Sequence, residues 1–487
     1  MQEYSLKNKI LHGVSWSAID QFANQGVFFV VGIILARMLT PYDYGLIGII
    51  TVFVNVFGIF VNAGFGIGLV RKEKVEEIDY NTAFICTFSI SVVSYLFMWI
   101  IAPLVADFFS RKELLILTRV MSLLLIISGI TVVQTAILTR AINFKLQTKI
   151  SIASSIASSV IGISMAYCSW GVWSLVGQQL TRSIIQSILL WINTVWCPKL
   201  SFSKDSFSYL WHFGWKLTAS SLINSIFTET YQFVIGKIYK PSTLGQYTRA
   251  LQFSNVFSVN FTSIIQRVAV PSLSAIQEDT QRMINLLRRI TSASMSISLL
   301  CMFGMAVMAE PIVLTLLGEK WSDSIVFLQL LCFDRMLYPL LALSWSVLQV
   351  KGRSDLILKI EIWKRSFMII PILIGVFFNI YLMIISSAIL NILFFFINAY
   401  YPARLFGYDI KTQIIDIFPS FKMAIVISVP VYFISLIELP SILLLGIQLI
   451  SFFTLLILYC EVFNMQEYMK LKCQIKESFF YLIQSKS

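Results

Sequence analysis

Apolar runs of about twenty residues recur from one end of this chain to the other, and about twenty residues are what a helix needs to cross the hydrocarbon core of a bilayer. Composition agrees. Soluble domains carry about a quarter of their residues as charges to cover their surface, whereas here only 13% are charged and 57% are hydrophobic. The exterior must therefore face lipid.

The sequence predicts spans near 14–36, 44–69, 82–105, 114–138, 148–168, 171–194, 213–236, 244–269, 287–309, 324–349, 356–378, 380–402, 420–437 and 441–462. That is an all-α polytopic membrane protein of about fourteen transmembrane helices. Pro430 makes the last but one the weakest of them. No connection is long enough for a folded extramembrane domain. With both termini inside, most lysines and arginines between spans fall on the cytoplasmic side, among them Arg71, Lys72, Lys74, Arg140, Lys145 and Arg353. Arg37, Arg111, Lys112, Lys237, Lys240 and Lys320 fall outside, so the positive-inside rule sets this orientation. An anionic inner leaflet accounts for the formal charge of +12 without nucleic acid. Tyr4–His12 reads as a short interfacial helix, not a cleavable leader, and residues 463–487 read as an amphipathic cytoplasmic tail.

Catalysis has little to stand on. The seven cysteines form no CxxC and sit mostly in apolar runs, as small hydrophobes do. His12 and His212 lack further ligand-type neighbours at helical spacing, so no metal site and no catalytic residues are expected. HExxH, GxSxG and P-loop patterns are missing.

An internal repeat organises the chain. Shifted by 200 positions, PYDYG (41–45) meets PSTLG (241–245) and FVNVF (53–57) meets FSNVF (253–257). His12 with His212, Asn24 with Asn224 and Val70 with Val270 also match, and Arg37 meets Lys237. Six spans separate the copies, so both point the same way through the membrane. Parallel repeats of this kind imply two pseudo-symmetric six-helix bundles around a central cavity. The predicted divisions are 1–200, 201–405, two additional transmembrane helices in 406–462, and the tail. Pro41–Gly45 and Pro241–Gly245 read as tight outer turns.

Polar groups inside spans are costly and normally face a polar interior. Asp20 and Asn24 stand at i,i+4 in the first span. Lys216, Ser220, Asn224 and Thr228 repeat that spacing in the seventh, beside Glu229. Arg249, Gln252 and Asn255 open the eighth, and Asn55 and Asn62 lie in the second. Arg119 and Arg182 have no acidic partner nearby in sequence, Asp334 and Arg335 are adjacent but point about 100° apart, and Glu361 and Arg365 can neutralise each other at i,i+4. On charge and depth alone, Lys216, Arg249, Arg182, Arg119, Arg335, Asn24, Asn224 and Gln252 are the candidate substrate-binding residues. The basic lean suits an anionic substrate. Interhelical hydrogen bonding that only holds the bundle together is the competing account of the neutral residues.

The runs LARMLTPYDYGLIGI (35–49), GKIYKPSTLGQYTRA (236–250), VPSLSAIQED (270–279) and LLGEKWSDS (316–324) resemble polysaccharide flippases of the multidrug/oligosaccharidyl-lipid/polysaccharide exporter superfamily, Wzx- and WzxC-like. The resemblance covers the whole chain, and its motifs mark the repeat turns and not the binding positions. It implies a non-enzymatic transporter of the bacterial inner membrane. Its cargo would be a polyprenyl-diphosphate-linked oligosaccharide, carried to the periplasmic leaflet by alternating access, with polysaccharide polymerase machinery as a partner. No cofactor is implied beyond a proton or sodium gradient, for which Asp20 and Glu229 are the coupling candidates. The alternative on the same fold is an ion-coupled exporter of small cationic compounds.

Overall fold

A computed structural model describes residues 16, 20, 23–62 and 64–463; the expected interfacial helix at 4–12 and the amphipathic tail lie outside the described residues. Among the described residues there is helix and connection but no strand. Two compact units divide the chain, Met1–Thr248 and Arg249–Ser487. This division follows packing and falls past the sequence-repeat boundary near 200.

The first unit contains α1 (Ala23–Met38), α2 (Pro41–Arg71), α3 (Glu77–Phe108), α4 (Glu113–Arg140), α5 (Phe144–Tyr167), α6 (Val172–Asn193) and α7 (Lys204–Ile238). It also takes in the first turns of α8, residues 241–274. Local sequence sets the starts. Thr40 precedes Pro41 as N-cap, its amide donating to Asp43 Oδ2 at 2.9 Å while the Asp43 amide donates to Thr40 Oγ1 at 3.3 Å. That capping box, followed by proline at the first helical position, starts a helix. PYDYG is thus the first turn of α2, not a turn between elements, and Pro241–Gly245 likewise opens α8.

The two copies of that motif lie against each other. A Cβ built on Gly45 would stand 1.8 Å from the Pro241 carbonyl oxygen, and one on Gly245 would stand 1.8 Å from the Pro41 carbonyl oxygen. The reciprocity reproduces the sequence repeat as a local two-fold contact, with backbones so close that only glycine fits. A second glycine contact shapes α2. The helix breaks after Asn62 at Gly64, which has φ +69°, and a Cβ there would be 2.6 Å from Gly214 Cα of α7. Past the break, Phe65 and Leu69 pack with Ala83, Val133 and Leu210 in a shared apolar core. Arg140 closes the end of α2 by donating to the Leu69 carbonyl at 3.1 Å and to the carbonyls of Lys72 and Glu73, which have no partner within the helix.

The second unit contains the rest of α8, then α9 (Thr280–Val307), a short helix Ala309–Leu316, α10 (Asp323–Val350), α11 (354–377), α12 (Ile380–Phe406), α13 (Ile410–Ile434) and α14 (Ser441–Val462). Asp279 and Asn379 cap α9 and α12, and Gly407 ends α12 with φ +75°. The two added helices are bound into the unit. Met423, Ile427 and Val431 of α13 meet Phe452 and Tyr459 of α14 over Met308. Arg288 of α9 forks onto Asp416 of α13 at 2.7 and 2.8 Å, a bidentate pair. The Tyr408 hydroxyl donates to the same carboxylate at 3.0 Å; burial, aided by that negative charge, pushes the Tyr408 phenol up and keeps it a donor.

Among the described residues, nine helices are long and apolar enough to cross a membrane. Those outside that set include α6, α7, α8 and α11, where Arg182, Glu229, Arg249 and Glu361 reside.

Candidate functional site

In the first unit α1, α5 and α6 build a polar cluster. The Asn24 amide donates to Asp20 Oδ1 at 2.8 Å, as their i,i+4 spacing predicts. It also donates to Ser151 Oγ at 2.9 Å, and Ser155 Oγ donates back to Asn24 Oδ1 at 2.6 Å. Arg182 completes the cluster: its charge interacts with Asp20, and its guanidinium lies 5.4 Å from the Phe28 ring centroid. No acid lies near Arg182 in sequence, and the one whose charge it meets is distant along the chain. Small residues bring the helices together, since a Cβ on Gly162 would press on Gln178 at 2.9 Å and one on Gly177 would meet Met165 at 2.3 Å.

Glu229 of α7 is buried at 8% exposure. Asn55 of α2 donates to its Oε1 at 2.9 Å and Gln232 donates to its Oε2 at 3.2 Å. Both carboxylate oxygens are thus held by neutral amides, and among the described residues no cation pairs with it. A buried carboxyl so placed can hold a proton or a small cation without breaking an existing ion pair.

The remaining candidates of this unit are dispersed. Asn224 is exposed on α7, unlike its repeat counterpart Asn24. Arg119 stacks 4.3 Å from the Trp99 ring centroid. Lys216 is exposed more than three turns into α7 and borders a hollow of about 510 Å³ with Arg71 and His212.

In the second unit Arg249 is buried at 6% exposure and donates to Gln252 Oε1 one turn on. Arg335 donates to Asn255 Oδ1 at 2.6 Å, approaches Asp334 Oδ2 at 3.9 Å and covers the Tyr338 ring at 5.2 Å. These adjacent residues do approach each other, although their side chains leave the helix about 100° apart. Asp334 also accepts from Ser387 Oγ at 2.8 Å and Asn391 Nδ2 at 2.9 Å. Asn255 is followed at once by a π-helical turn, Val256–Asn260. Such bulges re-aim side chains and are frequent at functional sites. Glu361 and Arg365 pair at 3.0 Å, as their spacing predicts.

The repeat thus yields an asymmetric result. Asn55 and Asn255 are equivalent positions, yet one amide donates to a buried acid and the other accepts from a half-buried arginine. Sequence reading missed Ser151, Ser155, Ser387 and Asn391 as partners; the serine-rich run 151–159 is the one signal that could have pointed to α5.

Comparison with known proteins follows the same lines. The family described as polysaccharide biosynthesis protein matches residues 34–326, more than half of the chain. The succinoglycan biosynthesis transport protein ExoT of Rhizobium meliloti is 25% identical over 67% of this chain and 66% of its own length. The lipopolysaccharide biosynthesis protein WzxC of Escherichia coli is 24% identical over 76% of each. The teichuronic acid biosynthesis protein TuaB of Bacillus subtilis is 22% identical over 72% of this chain and 73% of its own length. Among solved structures, the lipid II flippase MurJ superposes with TM-score 0.76 at 14% identity, covering 93% of this chain and 100% of that one. A multidrug resistance MATE transporter superposes at 0.58, also at 14% identity, covering 78% of this chain and 96% of that one. The two likenesses establish the all-helical, multi-pass membrane fold.

Proposed function

We propose a function from one premise: the chain belongs to the polysaccharide biosynthesis protein family. It carries a polyprenyl-diphosphate-linked oligosaccharide, a repeat unit of an O-antigen, capsule or exopolysaccharide, across the bacterial cytoplasmic membrane by alternating access. The observation that carries this reading is the spread of its relatives. Their names place them in the assembly of succinoglycan, lipopolysaccharide and teichuronic acid, three chemically different polymers. A transport step shared by such polymers must recognise what the precursors have in common, and a lipid diphosphate is the natural common part. The fold is compatible with such cargo, since the solved lipid II flippase uses it.

Within the second unit buried Arg249 and half-buried Arg335 supply counter-charge beside Gln252, and within the first unit stacked Arg119 supplies counter-charge while Asn24 and Asn224 offer hydrogen bonds to sugar hydroxyls. Arg182, already balanced by Asp20, is the weaker of the arginines. Glu229 is the favoured site for a coupling proton or sodium ion. Transport proceeds from the inner to the outer leaflet, with both termini cytoplasmic and the polymerase receiving the product.

An exporter of small cations on this fold would need its acids open to the substrate. Here Asp20 and Asp334 face arginines, which favours the anionic cargo. The deciding experiment uses a strain lacking this protein and assays the leaflet of its lipid-linked oligosaccharide with a periplasmic probe. The expected result is accumulation on the cytoplasmic side, relieved by the intact gene. A normal leaflet distribution, with no second flippase present, would overturn the proposal.

A further inference from the structure

We propose that the hollow walled by Arg71, His212 and Lys216 is a binding site for a lipid-borne phosphate at the membrane surface. Its depth comes from helix length. With 35 residues, α7 extends about 52 Å, well beyond the ~30 Å hydrocarbon core. Counting about twenty residues back from Ile238 reaches the turn just above Lys216. Lys216 and the residues before it therefore stand at headgroup level. Arg71, the last residue of α2, is at the same level because α2 and α7 cross at Gly64 and Gly214. Trp211 and Trp215 are half exposed beside the hollow, as aromatic side chains at a membrane interface are.

Several basic residues of the neighbouring segments are already engaged. Lys72 is bound to Asp79 at 2.6 Å, Lys199 to Glu77 at 2.8 Å, and Arg140 to four main-chain carbonyls. Arg71, Lys216 and His212, by contrast, make no ion pair among the described residues. Arg71 is held by the Phe213 ring, 4.7 Å from its guanidinium, which fixes the plane and leaves its N–H edges for a ligand. Ser208 and Tyr209 add hydroxyls to the wall. A planar guanidinium, an ammonium, an imidazole and two hydroxyls around a hollow of about 510 Å³ suit a tetrahedral oxyanion with room for the group attached to it.

Two lipids present that chemistry: the diphosphate of a polyprenyl carrier and the phosphodiester of a resident anionic phospholipid. The site lies wholly within the first unit, and the proposal stands without the transport reading because its test reads binding.

The test uses the full chain in phosphatidylcholine nanodiscs, titrated with geranylgeranyl diphosphate and, as the uncharged control, geranylgeraniol. Native mass spectrometry counts phosphatidylglycerol retained from mixed membranes. In Arg71→Gln/Lys216→Gln the affinity for the diphosphate should fall about tenfold or more, with Lys199→Gln unchanged; that result identifies the carrier. A loss of retained phosphatidylglycerol instead identifies the resident phospholipid. Unchanged binding of both overturns the proposal. Should the double variant lose its melting transition, Lys216→Gln alone, at an exposed position, gives the same readout with a smaller change.

Discussion

The side-chain amide of Asn55 donates to Glu229 Oε1 at 2.9 Å, across 174 residues of chain, and ties α2 to α7 through a buried acid. The sequence places both residues on polar stripes but on different spans. Among the described residues the two oxygens of that acid accept from amides and no cation balances its charge.

The first prediction follows from that unbalanced charge. Glu229→Gln keeps the volume and a hydrogen bond to Asn55 but cannot exchange a proton or hold a cation. Melting temperature should stay within a few degrees of the parent, equivalent to about 1 kcal/mol, while gradient-driven transport in proteoliposomes falls to background. Asn55→Ala strips a donor from the carboxylate and should destabilise by about 1–3 kcal/mol. Full gradient-driven transport by Glu229→Gln would move the coupling site elsewhere.

A second prediction concerns the paired repeat turns. Gly45→Ala places a methyl group 1.8 Å from the Pro241 carbonyl, and Gly245→Ala does the same against Pro41. Backbone must shift to admit either, so each should cost about 1–3 kcal/mol or more as overpacking does. Because each substitution opens the same contact, the double variant should cost less than the sum. Thermal melts of the three proteins check this; strict additivity would mean the two contacts are independent.

The helices and their order are legible in the sequence because each is written locally, in apolar runs. The partners of the intramembrane charges are not. Asn24 meets Ser151 and Ser155 some 127 and 131 positions away, and Asp334 meets Ser387 and Asn391. Serine inside an apolar helix carries no mark of which neighbour it will serve. The motif at 41–45 is misread as a turn for a related reason: Pro and Gly punctuate turns, yet Pro also starts helices. Here the cap residue before it decides, and the glycine serves a contact 200 positions away.

A third prediction tests the Asp20–Arg182 interaction. If Arg182 is held mainly by Asp20 and the Phe28 ring, then Asp20→Asn and Arg182→Gln should each lower the melting temperature, and the pair should couple by about 1 kcal/mol. Transport of cargo should survive Arg182→Gln at a substantial fraction of the parent rate. A complete loss of transport with an unchanged melting curve would return Arg182 to the substrate path.

The last prediction separates charge from shape at Arg249. Its side chain is buried and donates to Gln252. If that positive charge meets the cargo diphosphate, Arg249→Lys should retain part of the transport rate, because the charge persists while the planar fork is lost. Arg249→Gln should lose about tenfold or more, the effect of removing one charge-assisted contact. Gln252→Ala should weaken transport less than Arg249→Gln, since the guanidinium and its charge remain. Measuring flipped lipid-linked oligosaccharide in membranes with equal amounts of each variant gives the ranking. An Arg249→Lys rate as low as that of Arg249→Gln, in stably inserted protein, would mean that the fork geometry and not the charge is what the cargo requires.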